Sequence, residues 1–253
     1  MTKVLFKRLF ETVSTLLTLS ATSAPTAVAK VPSAITRLTL LDTAEQLFAE
    51  RGIDGTSVRD ITKAAAANVS AVNYHFGGKD GLVEAVFFRR LAPLNDRRLT
   101  RLEAAVKYAG ESPVPLEDIL DAFIRPSVDE LRTGGCTSHF LRLMGRCLQE
   151  PNPKLETFLV GVFAEVVSSF NPHFLRALPG LPAGELFWRT SFMFGTLHHA
   201  LYTWSSFETC QFASMTGMPH TARLTGEQLV RSLIHYAAAG MRAPFSSEVP
   251  LPS

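Results

Sequence analysis

Cysteine is scarce in this 253-residue chain: Cys136, Cys147 and Cys210 are odd in number and far apart. That spacing excludes a disulfide framework and points to reduced, intracellular thiols. Metal-ligand spacing is missing as well. His198 and His199 are adjacent, and neighbouring residues on a helix point about 100° apart, so the pair does not easily share one ion. No stretch alternates apolar and polar residues long enough to read as a strand, and no internal repeat is found. There is no GxSxG elbow, no P-loop and no HExxH pair. These absences argue against an enzyme, so no catalytic residue, metal or cofactor is expected. Strong net charge is lacking too. The chain carries +2, and residues 34–108 hold eleven Lys/Arg against nine Asp/Glu. Charge alone therefore does not announce a nucleic-acid partner. What is present is apolar residues at helical spacing, enough for a substantial core in one or two all-α domains.

The stretch Thr56–Lys79, TSVRDITKAAAANVSAVNYHFGGK, carries the most information. Thr56 or Ser57 stands where a helix N-cap belongs, and Val58 and Ile61 then face inward. Asn68 is placed to cap a second short helix. Within it Ala67, Val72 and Phe76 fall inward, leaving Val69, Ser70, Asn73 and Tyr74 outward. A short helix with small, hydroxyl and amide side chains outward suits a major groove about 12 Å wide. Asn pairs bidentately with adenine, Ser donates or accepts, and Val methyls meet a thymine methyl. Tyr74, His75 and Lys79 offer donors to phosphate, which set register rather than sequence. A helical hairpin with a solvated polar face accounts for the pattern alone equally well.

Several segments in order carry a resemblance. They are Leu41–Gly52 (LDTAEQLFAERG), Thr56–Ile61 (TSVRDI), Tyr74-His75-Phe76 and Lys79. Together they resemble the N-terminal domain of TetR-family transcriptional regulators. The resemblance implies an all-α homodimer, with a three-helix helix-turn-helix head on DNA and a helical body for ligand binding and dimerisation. By position it assigns DNA contacts to Thr56, Arg59, Ser70, Asn73, Tyr74, His75 and Lys79, with Val69 on the same face. Ala66 departs from the family, which usually has glycine in this turn. A positive φ there costs alanine on the order of 1 kcal/mol. Val69 also stands where many members carry a polar residue, so no operator sequence can be carried over.

Residues 1–33 have the outline of a signal peptide, with Lys3, Lys7 and Arg8 ahead of an apolar stretch and Ala27-Val28-Ala29 behind it. Glu11 interrupts that stretch, and a DNA-binding head has no use outside the cytoplasm. The expectation is a flexible extension over 1–33, a DNA-binding domain over 34–80, a helical body over 81–242 and a tail over 243–253. The protein is expected in the cytoplasm, without a membrane partner. The first helix runs from Ser33 or Ala34 to Arg51 on a stripe of Leu40, Leu41, Ala44, Leu47 and Phe48. A longer helix begins at Lys79, and Pro93 predicts a kink or restart near Arg90–Leu94. The arginines at 89, 90, 97, 98 and 101 read as a solvated face.

The body shows helical patterns at Leu116–Arg132, Thr137–Gln149, Asn152–Phe170, Ala183–Phe207 and Thr225–Met241, with a loop from Pro172 to Pro182. Its large apolar residues, Leu148 among them, are core unless shown otherwise. Phe140, Met144, Phe163, Trp188 and Phe192 could also line an adaptable apolar pocket. Arg146, four residues from Arg142, could meet a ligand carboxylate, although such arginines are more often exposed. The last two long helices offer a dimer surface, with Gly195, Ala200 and Ala237–Ala239 for close approach and Trp188, Tyr202 and Tyr236 for area. Two heads would then meet a palindromic operator.

Phe140–Gly145, Glu185–Arg189, Phe192–Gly195, Ala238–Arg242 and Ala71–Gly77 resemble the PsrA-type branch of the family. That likeness implies a fatty acid or acyl-CoA as the small apolar ligand and control of lipid-metabolism genes. Two competing readings stand beside it. One is a regulator of drug efflux with a broad pocket, kept open by Glu165. The other is an all-α lipid carrier or enzyme that retains an unused head.

Overall fold

The computed structural model describes residues 31–134, 138–147, 149–150, 152–207, 215, 217, 219 and 223–244. The terminal segments 1–30 and 245–253, Cys136, Cys210 and Leu148 lie outside the described residues. Among those described, every regular element is a helix: α1 Val31–Arg51, α2 Val58–Ala64, α3 Val69–Phe76, α4 Lys79–Ala109, α5 Leu116–Arg132, α6 Ser138–Cys147, α7 Pro153–Ala177, α8 Ala183–Ser205 and α9 Gly226–Arg242. The fold is all-α.

Prolines shape this fold less than their number suggests. Helix α4 continues through Pro93, so the expected restart does not occur. Helix α7 continues through Pro172 to Ala177, and the loop expected from Pro172 begins only afterwards. Helix α5 likewise contains Pro126. An internal proline removes one donor and strains one turn. Here each helix buries enough apolar surface on both sides of the ring to keep its axis going. Helix α7 is also long and apolar enough to cross a membrane by length and composition. It nevertheless buries Leu155, Val160, Val166, Phe170 and Phe174 as core.

The chain divides into two compact units, residues 1–93 with 139–165, and 94–138 with 166–253. The boundary on α4 falls at Pro93. In the first unit the core is built by Leu40, Leu41, Ala44 and Phe48 of α1, Ile61 of α2, Val72 of α3, and Leu82, Val86 and Phe87 of α4. Phe140 of α6 meets the Phe87 ring edge-on, with centroids 5.8 Å apart. At the rim of this core lies a buried carboxylate. Glu45 accepts from Arg89 Nη2 at 2.6 Å and from Arg90 Nε at 3.0 Å, fixing α1 to α4. Arg89 also reaches Asp42 at 2.7 Å.

In the second unit α5 and α9 run antiparallel. Their pairing is pinned at one end by Arg125–Glu227 (2.6 Å) and at the other by Arg242–Glu117 (2.5 Å). The Arg242 guanidinium holds the Glu117 carboxyl below its ordinary value. Helix α8 also runs antiparallel to α9. Arg189 Nη1 donates to the Met241 carbonyl at 2.7 Å, and Trp204 Nε1 to the Leu224 carbonyl at 2.7 Å. The 94–109 part of α4 lies along α5 through Arg97–Glu130 and Arg101–Asp121. The expected solvated arginine face is therefore corrected. Arg89, Arg90, Arg97 and Arg101 are paired with carboxylates, Arg89 and Arg90 are half-buried, and Arg98 is 2% exposed.

Candidate nucleic-acid interface

Local chemistry fixes both short helices. Ser57, rather than Thr56, is the N-cap of α2. Its hydroxyl accepts from the Asp60 amide at 3.1 Å, and the Asp60 carboxylate accepts from the Ser57 amide at 2.9 Å. This reciprocal box satisfies two orphan donors. The Ser57 hydrogen bonds also hold the Asp60 carboxyl below its ordinary value. Asn68 caps α3, its Oδ1 accepting from the Ala71 amide at 2.8 Å.

Between the helices Ala66 sits at φ +50°, the one non-glycine residue at positive φ among those described. The turn the family builds with glycine is therefore kept, at alanine's cost. Gly77 ends α3 in the left-handed region at φ +72°. A Cβ at Gly81 would lie 1.9 Å from the Phe76 carbonyl oxygen. The tight entry into α4 thus depends on glycine at a position the sequence reading passed over.

Helix α3 is anchored by Val72, which is fully buried. Arg37 of α1 lies over the Phe76 ring, 5.3 Å from its centroid. With that side fixed, Val69, Ser70, Asn73 and Tyr74 are all exposed, and Tyr74 reaches 81%. His75 is half-buried between its neighbours, its ring 5.0 Å from Tyr74 and 6.0 Å from Phe76. Arg59 and Lys63 of α2 are exposed, and Lys79 at the start of α4 is half-buried. Asp80 pairs with Lys154 at 2.6 Å, and that partner holds its carboxyl low. Lys154 is a cation beside this surface that sequence reasoning missed, because 74 residues separate the two partners.

Thr56 is a correction. It has no exposed surface, and its hydroxyl donates inward to the carbonyls of Gly52 at 2.8 Å and Leu47 at 3.3 Å. It shapes the turn before α2 and cannot reach a ligand. The remaining seven candidates, Arg59, Val69, Ser70, Asn73, Tyr74, His75 and Lys79, all belong to the first unit and keep accessible surface.

The six ligand candidates fall in both units. Phe140 and Met144 are core of the first unit, and Phe163 is half-buried there. Arg146, also of the first unit, is engaged by Glu150 at 2.9 Å and by the Glu50 carbonyl at 3.3 Å. In the second unit Trp188 stacks on Phe192 with centroids 6.1 Å apart, and Phe192 is 65% exposed. Only Phe192 of the six lines the 380 Å³ cavity of that unit, with Met193, Leu197, Leu233 and Tyr236. The cavity wall combines buried Met193, Leu197 and Leu233 with exposed Phe192 and Tyr236. Cys147 is half-buried, and partial burial pushes its thiol up to about 12, which disfavours the reactive thiolate.

Among the described residues no group of three or more His, Cys, Asp or Glu side chains could hold a metal ion.

A family model described as "Bacterial regulatory proteins, tetR family" matches residues 40–86, and one described as "Tetracyclin repressor-like, C-terminal domain" matches residues 121–240. The chain is 47% identical over 45 residues to a probable HTH-type transcriptional regulator, YttP, of Bacillus subtilis, covering 18% of this chain and 22% of that one. It is 33% identical over 97 residues to the HTH-type transcriptional regulator AcrR of Shigella flexneri, covering 38% and 44%. The matched stretches thus span less than half the length of these relatives. Among solved structures, the fatty acid degradation regulator FadR of Bacillus halodurans superposes with a TM-score of 0.54 at 15% identity. That match covers 85% of this chain and 97% of that one, a likeness of fold.

Proposed function

The chain belongs to the TetR family of bacterial regulatory proteins, and we propose that it works as a dimeric repressor that reads a palindromic operator and is released by a small apolar ligand. The observation that carries this reading is the outward face of α3. Val69, Ser70, Asn73 and Tyr74 share one exposed side of a helix capped at both ends and anchored by Val72. Base edges are read by Asn73, Ser70 and Val69, and phosphates are held by Tyr74, His75, Arg59 and Lys79.

The dimer forms through α8 and α9. Trp188, Phe192, Gly195, His199 and Tyr202 are exposed along one side of α8, and Tyr236, Ala239 and Gly240 along α9. Those residues give large aromatic area beside small residues that let helices approach. Trp188 and Phe192 thereby move from the ligand list to the dimer surface. Two copies related by a two-fold axis would place their α3 helices in successive major grooves, about 34–36 Å apart.

The ligand is a fatty acid or acyl-CoA, and the target genes belong to lipid metabolism. This rests on the PsrA-type segments, and the fold shared with a fatty acid degradation regulator accords with it. The ligand acts only through its differential affinity for the DNA-bound and free arrangements. The protein acts in the cytoplasm, where its operator is.

A gel shift on the chain's own upstream DNA, with and without fatty acid, tests the reading. Retarded DNA that fatty acid releases supports it. Retardation indifferent to acyl ligands keeps the repressor and discards the effector, and a drug that releases it would favour the efflux regulator. No retardation on upstream or genomic fragments favours a lipid carrier or enzyme.

A further inference from the structure

Arg98 is the more buried of the second unit's two buried arginines, Arg98 and Arg189. Its Nε donates to the Phe123 carbonyl at 3.1 Å, Nη1 to Asn95 Oδ1 at 3.1 Å and Nη2 to Ser127 Oγ at 2.9 Å. Asn95 and Ser127 are themselves buried. All three acceptors are neutral. Among the described residues no carboxylate lies within salt-bridge distance of Arg98, and burial alone pushes its guanidinium down, to about 9. It stays charged at neutral pH.

Other arginines of the same unit differ. Arg97, Arg101, Arg125 and Arg242 each meet a carboxylate, and so does the buried Arg189, through Glu185 at 3.4 Å. The most buried of the set is the one without a counter-charge. An unneutralised buried guanidinium is costly, and hydrogen bonds to neutral groups do not cancel its charge.

The surroundings are amphipathic. The Phe123 ring lies against the guanidinium, 4.1 Å from its centroid. Phe170 meets Phe123 edge-on at 5.6 Å, and Phe174 follows at 6.4 Å. A charged fork thus stands at the head of a buried aromatic row.

We propose that Arg98 is the anion anchor of the ligand site: its two terminal nitrogens take the free carboxylate of an amphipathic monocarboxylic acid whose apolar part lies along Phe123, Phe170 and Phe174. This rests on the ligand-controlled repressor reading and narrows it to a free acid over a CoA thioester. The carboxylate replaces the Asn95 amide oxygen and the Ser127 hydroxyl as acceptor, while Nε keeps the Phe123 carbonyl. The exchange trades two neutral acceptors for a bidentate charged one, the stronger and geometrically matched arrangement. Arg98 sits on α4 and two of its present acceptors on α5, so the exchange draws on the packing of those two helices. Helix α4 begins at Lys79, directly after the recognition helix.

The test is calorimetric binding to the full-length protein of sodium decanoate, 1-decanol and decanoyl-CoA, repeated with Arg98→Met and Arg98→Lys. Wild type should prefer decanoate over decanol and over the thioester by at least about tenfold. Arg98→Met should bind decanoate no better than decanol, with decanol affinity unchanged within about threefold. A purely structural arginine would weaken both probes together or neither. Arg98→Lys, which keeps the charge without the fork, should retain part of the preference. That retention, with the wild-type comparison, decides the matter if Arg98→Met does not fold. Equal binding of acid and alcohol by wild type, tighter binding of the thioester, or a preference that survives in Arg98→Met overturns the proposal while the ligand reading stands. Binding of none of the three removes the acyl-ligand reading together with it.

Discussion

The most buried charge of the first unit and that of the second are treated in opposite ways. Glu45 in the first unit is 3% exposed and is met by two arginines, with Arg89 extended to Asp42. Arg98 in the second unit is equally buried and is met by amide, hydroxyl and carbonyl oxygens alone. The first arrangement is closed, because removing either partner strands a charge. The second holds a charge that a further group could satisfy. Fixing α1 to α4 calls for the closed arrangement, and responding to a ligand calls for the open one.

Five measurements break or sharpen that contrast. The largest effect is expected at Glu45. In Glu45→Ala two half-buried guanidinium groups lose their carboxylate, so chemical denaturation should show a loss of about 3 kcal/mol or more. A loss near zero would mean that the cluster is solvated and the contrast empty. Next comes the recognition face, where the effect is on binding instead of folding. Asn73→Ala and Tyr74→Ala should each weaken operator binding by about 1–3 kcal/mol in a titrated gel shift, with melting unchanged, since both side chains are exposed.

Ala66→Gly should stabilise the protein by about 1 kcal/mol in the same denaturation experiment, by relieving the φ of +50°. Without ligand, Arg98→Met should change stability by no more than about 1 kcal/mol. Replacing an unneutralised buried charge by an apolar side chain of similar length offsets the hydrogen bonds lost. A loss as large as at Glu45 would make the two charges alike.

The smallest effect is in pH. Glu117 is lowered from 4.5 in the fold. Its contribution is complete above pH 4.5 and is lost as pH falls through the lowered value. Glu117→Gln should lower the neutral plateau of the melting curve slightly, where that contribution is complete, and flatten the acid limb, with no difference from wild type below the lowered value.

The contrast also marks what a sequence can disclose. Caps and outward faces are local, so Asn68 and the exposed Asn73 and Tyr74 were legible from spacing, while the strained Ala66 was legible only through the family resemblance. Thr56 was given a DNA contact by the resemblance alone, and spacing left Thr56 and Ser57 as equal candidates for the cap. Only the fold shows that one hydroxyl turns inward to Gly52. Helix ends at Pro172 were misplaced because burial on both sides outweighs one missing donor. The arginines after Phe88 read as a solvated face, since nothing local links Arg89 to Glu45, 44 residues away, or Arg98 to Ser127, 29 away. The ligand candidates divide between the two units, a division that spacing does not reveal. Aromatic and methionine side chains look alike whether they fill the core, as Phe140 does, or stand exposed on a helix, as Phe192 does.

The account stands or falls on whether the α3 face reads DNA independently of the fold that holds it. The direct measurement is footprinting of the chain's own upstream DNA by wild type and Asn73→Ala, with the melting of both proteins followed in parallel. A protected palindrome with half-sites about one helical turn apart, lost in Asn73→Ala at unchanged melting temperature, is the predicted result. Equal protection by both proteins, or no protection by wild type on upstream or genomic fragments, would contradict it.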